Sequence, residues 1–427
     1  MMLHTVQSGD TLYRLAREFG VSVQDIVDAN GLSAPDTLTV GQSLIIPLEN
    51  RIHTVKSGQS LFTIARSYGI SLDRLLEANP NLRAPYTIFP GQHIYIPLQT
   101  EKLGSIEVNG FATPAITDEN LTRTLKHLTY ISIFSYSIMP NGELAELQND
   151  ERILRAARSA GVAPLLVLTN LQQGSGFDSE LVADFLDHAD AWNPMLERLL
   201  EIMQRKGYWG LNLDFEYIPP RCREAYNRFL QVAKARLSAQ GYKLFTCLAP
   251  KLSDTQAGTL YEAHDYAAHG EIADRVILMT YEWGYLYGPP MAVSPYDQVR
   301  RVLDYAVSRI PREKLLMSLP GYGYDWTLPY MRGSRAVTLS ITQAADLANR
   351  VDAQIQFDTD SATPFFEYYD ANGKQHIVWF EDARSAREKL LLIHEYGLAG
   401  VSYWTINSFW PQNWATLDML YNVKRVL

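Results

Sequence analysis

Between residues 208 and 217 the chain reads YWGLNLDFEY, so that Asn212, Asp214 and Glu216 fall on alternate positions. In an extended strand successive side chains point to opposite faces, so these three share one face and Leu211, Leu213 and Phe215 share the other. Two carboxyl groups then stand side by side. Such a pair resists double ionisation, which keeps one member protonated and able to give its proton to a leaving group. A strand with one wet face produces the same alternation, and this stretch alone leaves both readings open.

Other groups suited to a binding cleft are rich in aromatics. The segment LMTYEW offers Tyr281, Glu282 and Trp283, with Tyr285 just beyond, and PGYGYDW offers Tyr322, Tyr324, Asp325 and Trp326. Trp404 closes the run VSYW. Aromatic faces stack on the apolar faces of sugars, although Tyr and Trp are also ordinary core and rim residues. His264, His269 and His376 have no partner that the sequence identifies, and no role is assigned to them.

Composition narrows the classes. The chain has 427 residues, 47% hydrophobic and 20% charged, which is a globular protein with a large core. A net charge of -9 without a basic run argues against a nucleic-acid partner. No apolar run reaches the roughly 18 residues of a membrane helix, so no membrane partner is expected. The two cysteines, Cys222 and Cys247, form no CxxC and lie near no histidine cluster, so they read as buried free thiols. Neither a metal nor a cofactor is expected. The start MMLHTVQSGDTLYRLA lacks a basic segment followed by an apolar one, which predicts synthesis in the cytoplasm without a secretory signal.

Two kinds of element must position these groups. The first hundred or so residues repeat: HTVQSGDTLYRLAREFGVSVQDIVDANGL from His4 aligns with HTVKSGQSLFTIARSYGISLDRLLEANPNL from His53, and VGQSLIIPL aligns with PGQHIYIPL. Each copy predicts a short strand, a Ser-Gly turn, two helices and a closing strand. The opening Ser-Gly-Asp, the central Ala-Asn and the closing Gly-Gln and Ile-Pro pairs resemble the LysM module, with Gln59 in place of Asp in the second copy. That resemblance implies binding to glycans containing N-acetylglucosamine, in peptidoglycan or chitin. The modules are read as residues 1–49 and 50–100.

Beyond residue 101 apolar strand-like runs alternate with amphipathic helical patterns such as NPMLERLLEIMQRKG and CREAYNRFLQVAKARLSAQG. Eight such runs before the C-terminus predict an α/β fold, a (β/α)8 TIM barrel over 101–427. The fourth run is read as continuing through Glu216 and the sixth through Tyr281. Residues 334–383 are too many for one crossover and carry an Asn372-Gly373 turn, which predicts a small α+β insertion between strands seven and eight. Asp214 and Glu216 then lie at the C-terminal mouth, where barrel enzymes keep their active sites, and the wet-face reading loses its footing because parallel barrel strands have no solvent face.

At these residues the barrel resembles glycoside hydrolase family 18, whose fourth strand carries D-x-x-D-x-D-x-E. Asp214 and Glu216 match the last two acids, while Trp209 and Asn212 replace the first two. LMTYEW resembles the family's M-x-Y-D with Glu282 for Asp, and Trp404 stands where the family keeps a tryptophan under the reacting sugar. The resemblance implies retaining, substrate-assisted hydrolysis: Glu216 as acid, Asp214 and Tyr281 holding the substrate acetamide, and Asn212, Trp404, Glu282, Trp283, Tyr322 and Tyr324 in substrate binding. The tandem modules joined to Asn-Leu-Asp-x-Glu resemble the spore-cortex-lytic N-acetylglucosaminidases of endospore-forming bacteria. This implies an endo-acting hydrolase of cortex peptidoglycan during germination, made in the mother-cell cytoplasm and working in the spore coat or cortex. A chitinase and a noncatalytic glycan-binding coat protein are the alternatives.

Overall fold

The computed structural model describes residues 2–33, 37–48, 50–97, 102–172 and 174–427. In the first module Met2–Thr5 pairs antiparallel with Ser43–Ile46, with helices Leu12–Phe19 and Val23–Asn30 between them. The second repeats this with Asn50–Thr54, His93–Pro97 and helices Leu61–Ser67 and Leu72–Glu77. Thr11 and Ser60 cap the first helices through their side chains. Asp10 instead takes the Gln7 amide and the His4 ring, both at 2.8 Å. Gln59 keeps both bonds, to Lys56 N at 2.7 Å and His53 Nε2 at 2.8 Å, so the departure from aspartate leaves the turn intact.

The barrel closes. Its eight parallel strands are Ser105–Ala112, Tyr130–Ile138, Ala163–Thr169, Gly210–Asp214, Lys243–Leu248, Arg275–Leu278, Leu315–Pro320 and Gly400–Trp404, the last pairing back onto the first. The alternation in the fourth strand sorts its side chains as expected. Leu211 and Leu213 face outward into the layer shared with Leu199, Met203 and Phe229, all fully buried. Truncating Leu213 to Ala there would cost about 2–5 kcal/mol. Asn212 faces inward, in register with Val167 and Phe245 of the interior cluster. At the barrel floor Arg275 donates two bonds of 2.6 Å to the Glu107 carboxylate.

Ladder pairing stops earlier than the alternation suggests. The fourth strand ends at Asp214 and the sixth at Leu278, so Glu216 and Tyr281 stand on the loops just beyond. The insertion is a five-stranded antiparallel sheet packed on helix Ile341–Arg350, with the expected turn at Asn372-Gly373 (Gly373 φ 74). Its sheet also takes in Tyr322–Thr327, upstream of the segment that the sequence marks. No helix among the described residues is long and apolar enough to cross a membrane.

Candidate active site

Asp214 is the last residue of the fourth strand and is 4% exposed. Its Oδ1 has no hydrogen-bond partner among the described residues. Burial raises its pKa, and the neighbouring Cys247 thiol only partly opposes this. The thiol itself is held protonated by burial and by the two acids, so it serves as a donor and not as a thiolate.

Glu216 lies past the ladder, and two buried side chains replace the missing strand bonds. Asn170 accepts from Glu216 N through Oδ1 and donates through Nδ2 to Glu216 O, both at 2.9 Å. On the other side His264 Nδ1 accepts from Ala249 N at 2.9 Å, which leaves the proton on Nε2 to donate to Phe215 O at 3.0 Å. Burial lowers the His264 pKa to about 4, so the ring stays neutral and the tautomer is fixed. Phe215 is fully buried between the two acids in sequence, against Phe185 and Phe229, both at ring-centroid distances of 6.2 Å. The Glu216 side chain reaches partly into the open cleft, yet the protein walls around it raise its pKa well above the ordinary value; the Asp214 and Glu282 charges add to this.

The cleft over these acids has a volume of about 390 Å³ and includes Tyr281, Glu282, Tyr322 and Trp404 in its lining. Trp404 is fixed edge-on against Phe111 and Phe134, with ring centroids 5.4 and 4.8 Å away, and gives the cleft a flat apolar wall. The Tyr281 hydroxyl is held protonated by burial and the nearby acids. Glu282 has a left-handed backbone (φ 69) and accepts from the Tyr322 hydroxyl and, at 2.9 Å, from that of Tyr324. The protein atoms packed around it still raise its pKa against those two bonds, although the residue is exposed to the cleft. Beyond Glu282 lies a second chamber of about 410 Å³, where Trp404 and Tyr324 meet Ser340 and Gln343 of the insertion.

Two expected substrate contacts lie elsewhere. Asn212 is fully buried one layer below Asp214, donating to Ser132 Oγ at 3.2 Å and accepting from Cys247 Sγ at 3.5 Å; it supports the floor of the site and cannot touch a sugar. Trp283 lines neither chamber and packs against the main barrel core. Asp325 is held by Tyr368 and His376 inside the insertion, and the buried Trp326 donates to Gly288 O. The sequence reading missed Asn170 and left His264 without a role, since neither has a local pattern, and it missed Tyr217 and Tyr261, which line the cleft. The signal for Tyr217 was its place directly after Glu216; the structure adds a left-handed backbone (φ 54) that is rare for a tyrosine.

Residues 111–408 match the pattern of Glycosyl hydrolases family 18, and residues 4–47 and 53–97 each match the LysM domain. The chain belongs to glycosyl hydrolase family 18. As a family 18 glycoside hydrolase with LysM modules, it is built to bind glycans of the peptidoglycan or chitin type. It is similar to the cortical fragment-lytic enzyme of Bacillus subtilis (strain 168), at 42% identity over 100% of this chain and 99% of that protein. The crystal structure of the Bacillus megaterium QM B1551 spore cortex-lytic enzyme SleL has a TM-score of 0.90 at 36% identity, covering 100% of this chain and 99% of that one. That of the Bacillus cereus spore cortex-lytic enzyme SleL has 0.85 at 38%, covering 99% and 98%.

Proposed function

We propose that the protein is a retaining, substrate-assisted endo-β-N-acetylglucosaminidase that cleaves spore-cortex peptidoglycan during germination. The observation that carries this is the pair Asp214 and Glu216 at the barrel mouth, both pushed toward the neutral form by burial. Glu216 gives its proton to the glycosidic oxygen as that bond breaks. The sugar's own 2-acetamido carbonyl attacks the anomeric carbon, as family 18 chemistry requires in place of a protein nucleophile. Asp214 accepts the acetamide N–H, the Tyr281 hydroxyl donates to its oxygen, and Trp404 stacks under the ring. Water then opens the cyclic intermediate from the face the leaving group vacated, with Glu216 taking back a proton, and the β configuration is restored.

Full-length relatives named for cortex lysis support the choice of cortex over chitin. The same reading has the chain synthesised in the mother cell, with its modules resting on N-acetylglucosamine-containing strands and no nucleic acid or membrane as partner. Digestion of soluble cortical fragments, followed by proton NMR of fresh product and mass spectrometry, tests it. New reducing ends on N-acetylglucosamine with the β anomer first are expected. The α anomer, or cleavage confined to chitin oligosaccharides, would overturn it.

A further inference from the structure

The two modules repeat one sequence in different surroundings. Asn30 and Asn79 each close the second helix with the same three bonds. Asn30 Nδ2 donates to Ile26 O at 2.7 Å and Ile45 O at 2.8 Å while its Oδ1 accepts from Ile45 N at 2.7 Å. Asn79 does the same with Leu75 and Tyr95, at 2.7, 2.6 and 2.8 Å. Asn30 takes one partner more: Gln412 Nε2, on barrel helix Pro411–Leu420, donates to its Oδ1 at 2.9 Å and to Ser43 O at 2.7 Å.

The rest of that face is spent in the same way. Ile355 N of the insertion donates to Val40 O at 3.0 Å, and a Cβ at Gly41 would lie 1.8 Å from Ile355 O. Gly91, the counterpart of Gly41, has nothing within 4 Å of its Cβ position. Ser43 and Ile45 are 2% and 0% exposed, whereas Tyr95, the counterpart of Ile45, is 44% exposed. Thr39 is 7% exposed and its counterpart Phe89 is 66% exposed. Helix Ile341–Arg350 joins this contact to the chemistry, because Asn349 donates to Thr37 O at 2.9 Å and Gln343 lines the second chamber.

We propose that the two modules have divided their work: the first is a fixed strut of the catalytic body, and the second holds the glycan polymer through its exposed aromatics Tyr86, Phe89 and Tyr95. This rests on the reading of the modules as glycan binders. Tyr86 keeps a left-handed backbone (φ 57), a costly state for a tyrosine, with its side chain 45% exposed. Exposed neutral aromatics suit the apolar faces of sugars. A second copy of the chain is a poor occupant, since the barrel face that receives the first module is already filled in cis. Tyr13 and Phe62, exposed in both copies at 72% and 61%, do not distinguish the modules.

The test uses the full chain and insoluble purified peptidoglycan. Tyr86→Ala with Phe89→Ala should weaken co-sedimentation at least tenfold, and Tyr13→Ala less than twofold. Gly41→Ala and Gly91→Ala impose the same backbone strain (φ 84 and 86), so a larger drop in the barrel's Tm for Gly41→Ala reports the strut. Equal Tm values, equal losses from Tyr13→Ala and the double variant, or no loss from the double variant would overturn the division. A wild-type dimer that the double variant dissociates would overturn it in favour of a second copy. Wild-type protein that fails to sediment at all would remove the glycan-binding reading itself.

Discussion

Asp150 and Asp214 are the same residue type at nearly the same depth, 0% and 4% exposed, and burial pushes both toward the neutral form. Their partners decide the outcome. Asp150, just before helix Glu151–Ser159, accepts from Lys206 Nζ at 2.6 Å and from the Tyr136 and Tyr208 hydroxyls at 2.7 and 2.6 Å. Against the upward pull of burial these donors hold its carboxyl below the ordinary range. Asp214 has no ion pair among the described residues, leaves Oδ1 unpartnered and is raised. The fold can satisfy a buried carboxylate where structure is the task, as Glu107 and Arg275 show again at the floor. At the mouth it withholds the cation, and what remains is a carboxyl whose charge helps to raise the pKa of Glu216 beside it.

The comparison breaks most sharply at Glu216. Glu216→Gln keeps the shape and removes the transferable proton, so kcat on soluble cortical fragments should fall by roughly two to four orders of magnitude. A loss below tenfold would mean that the proton comes from elsewhere. Lys206→Met should leave Asp150 a buried acid without its cation and cost about 3 kcal/mol in denaturant unfolding. An unchanged midpoint would show that the two tyrosines suffice.

Asp214→Asn should act in the opposite sense on stability. A carboxyl with a raised folded pKa loses stability for the protein as pH climbs from the unfolded value near about 4 through the raised one. Asparagine escapes that penalty, so the variant should gain on the order of 1–2 kcal/mol at pH 8 and nothing at pH 4, while kcat falls more than KM rises. Asp150 has the reverse sign: its contribution is complete above the unfolded value and is lost as pH falls through its lowered one. Destabilisation by Asp214→Asn at pH 8 would remove the contrast.

Much of this was legible in the chain. The repeats and the strand periodicity set out both modules and the barrel, and alternation singled out Asp214 and Glu216. What escaped was whatever depends on distant partners. Glu216 sits where it does because Asn170 and His264 hold the backbone from other loops, and neither stands in a pattern. Asn212 shares the inward face of the acids, but alternation gives the face and not the depth, so a floor residue looked like a contact. Trp283 shows the ambiguity of any aromatic beside a site, since the core uses the same side chain. The docking of the first module through Gln412 was hidden because the residue looks like an ordinary polar position near a helix start.

The most direct test of the proton donor is a carbon-13 NMR titration of the glutamate carboxyls, with Glu216 assigned by the resonance lost in Glu216→Gln. The account predicts a carboxyl titrating well above the other glutamates. A Glu216 resonance titrating near the ordinary value of about 4.3 would contradict it.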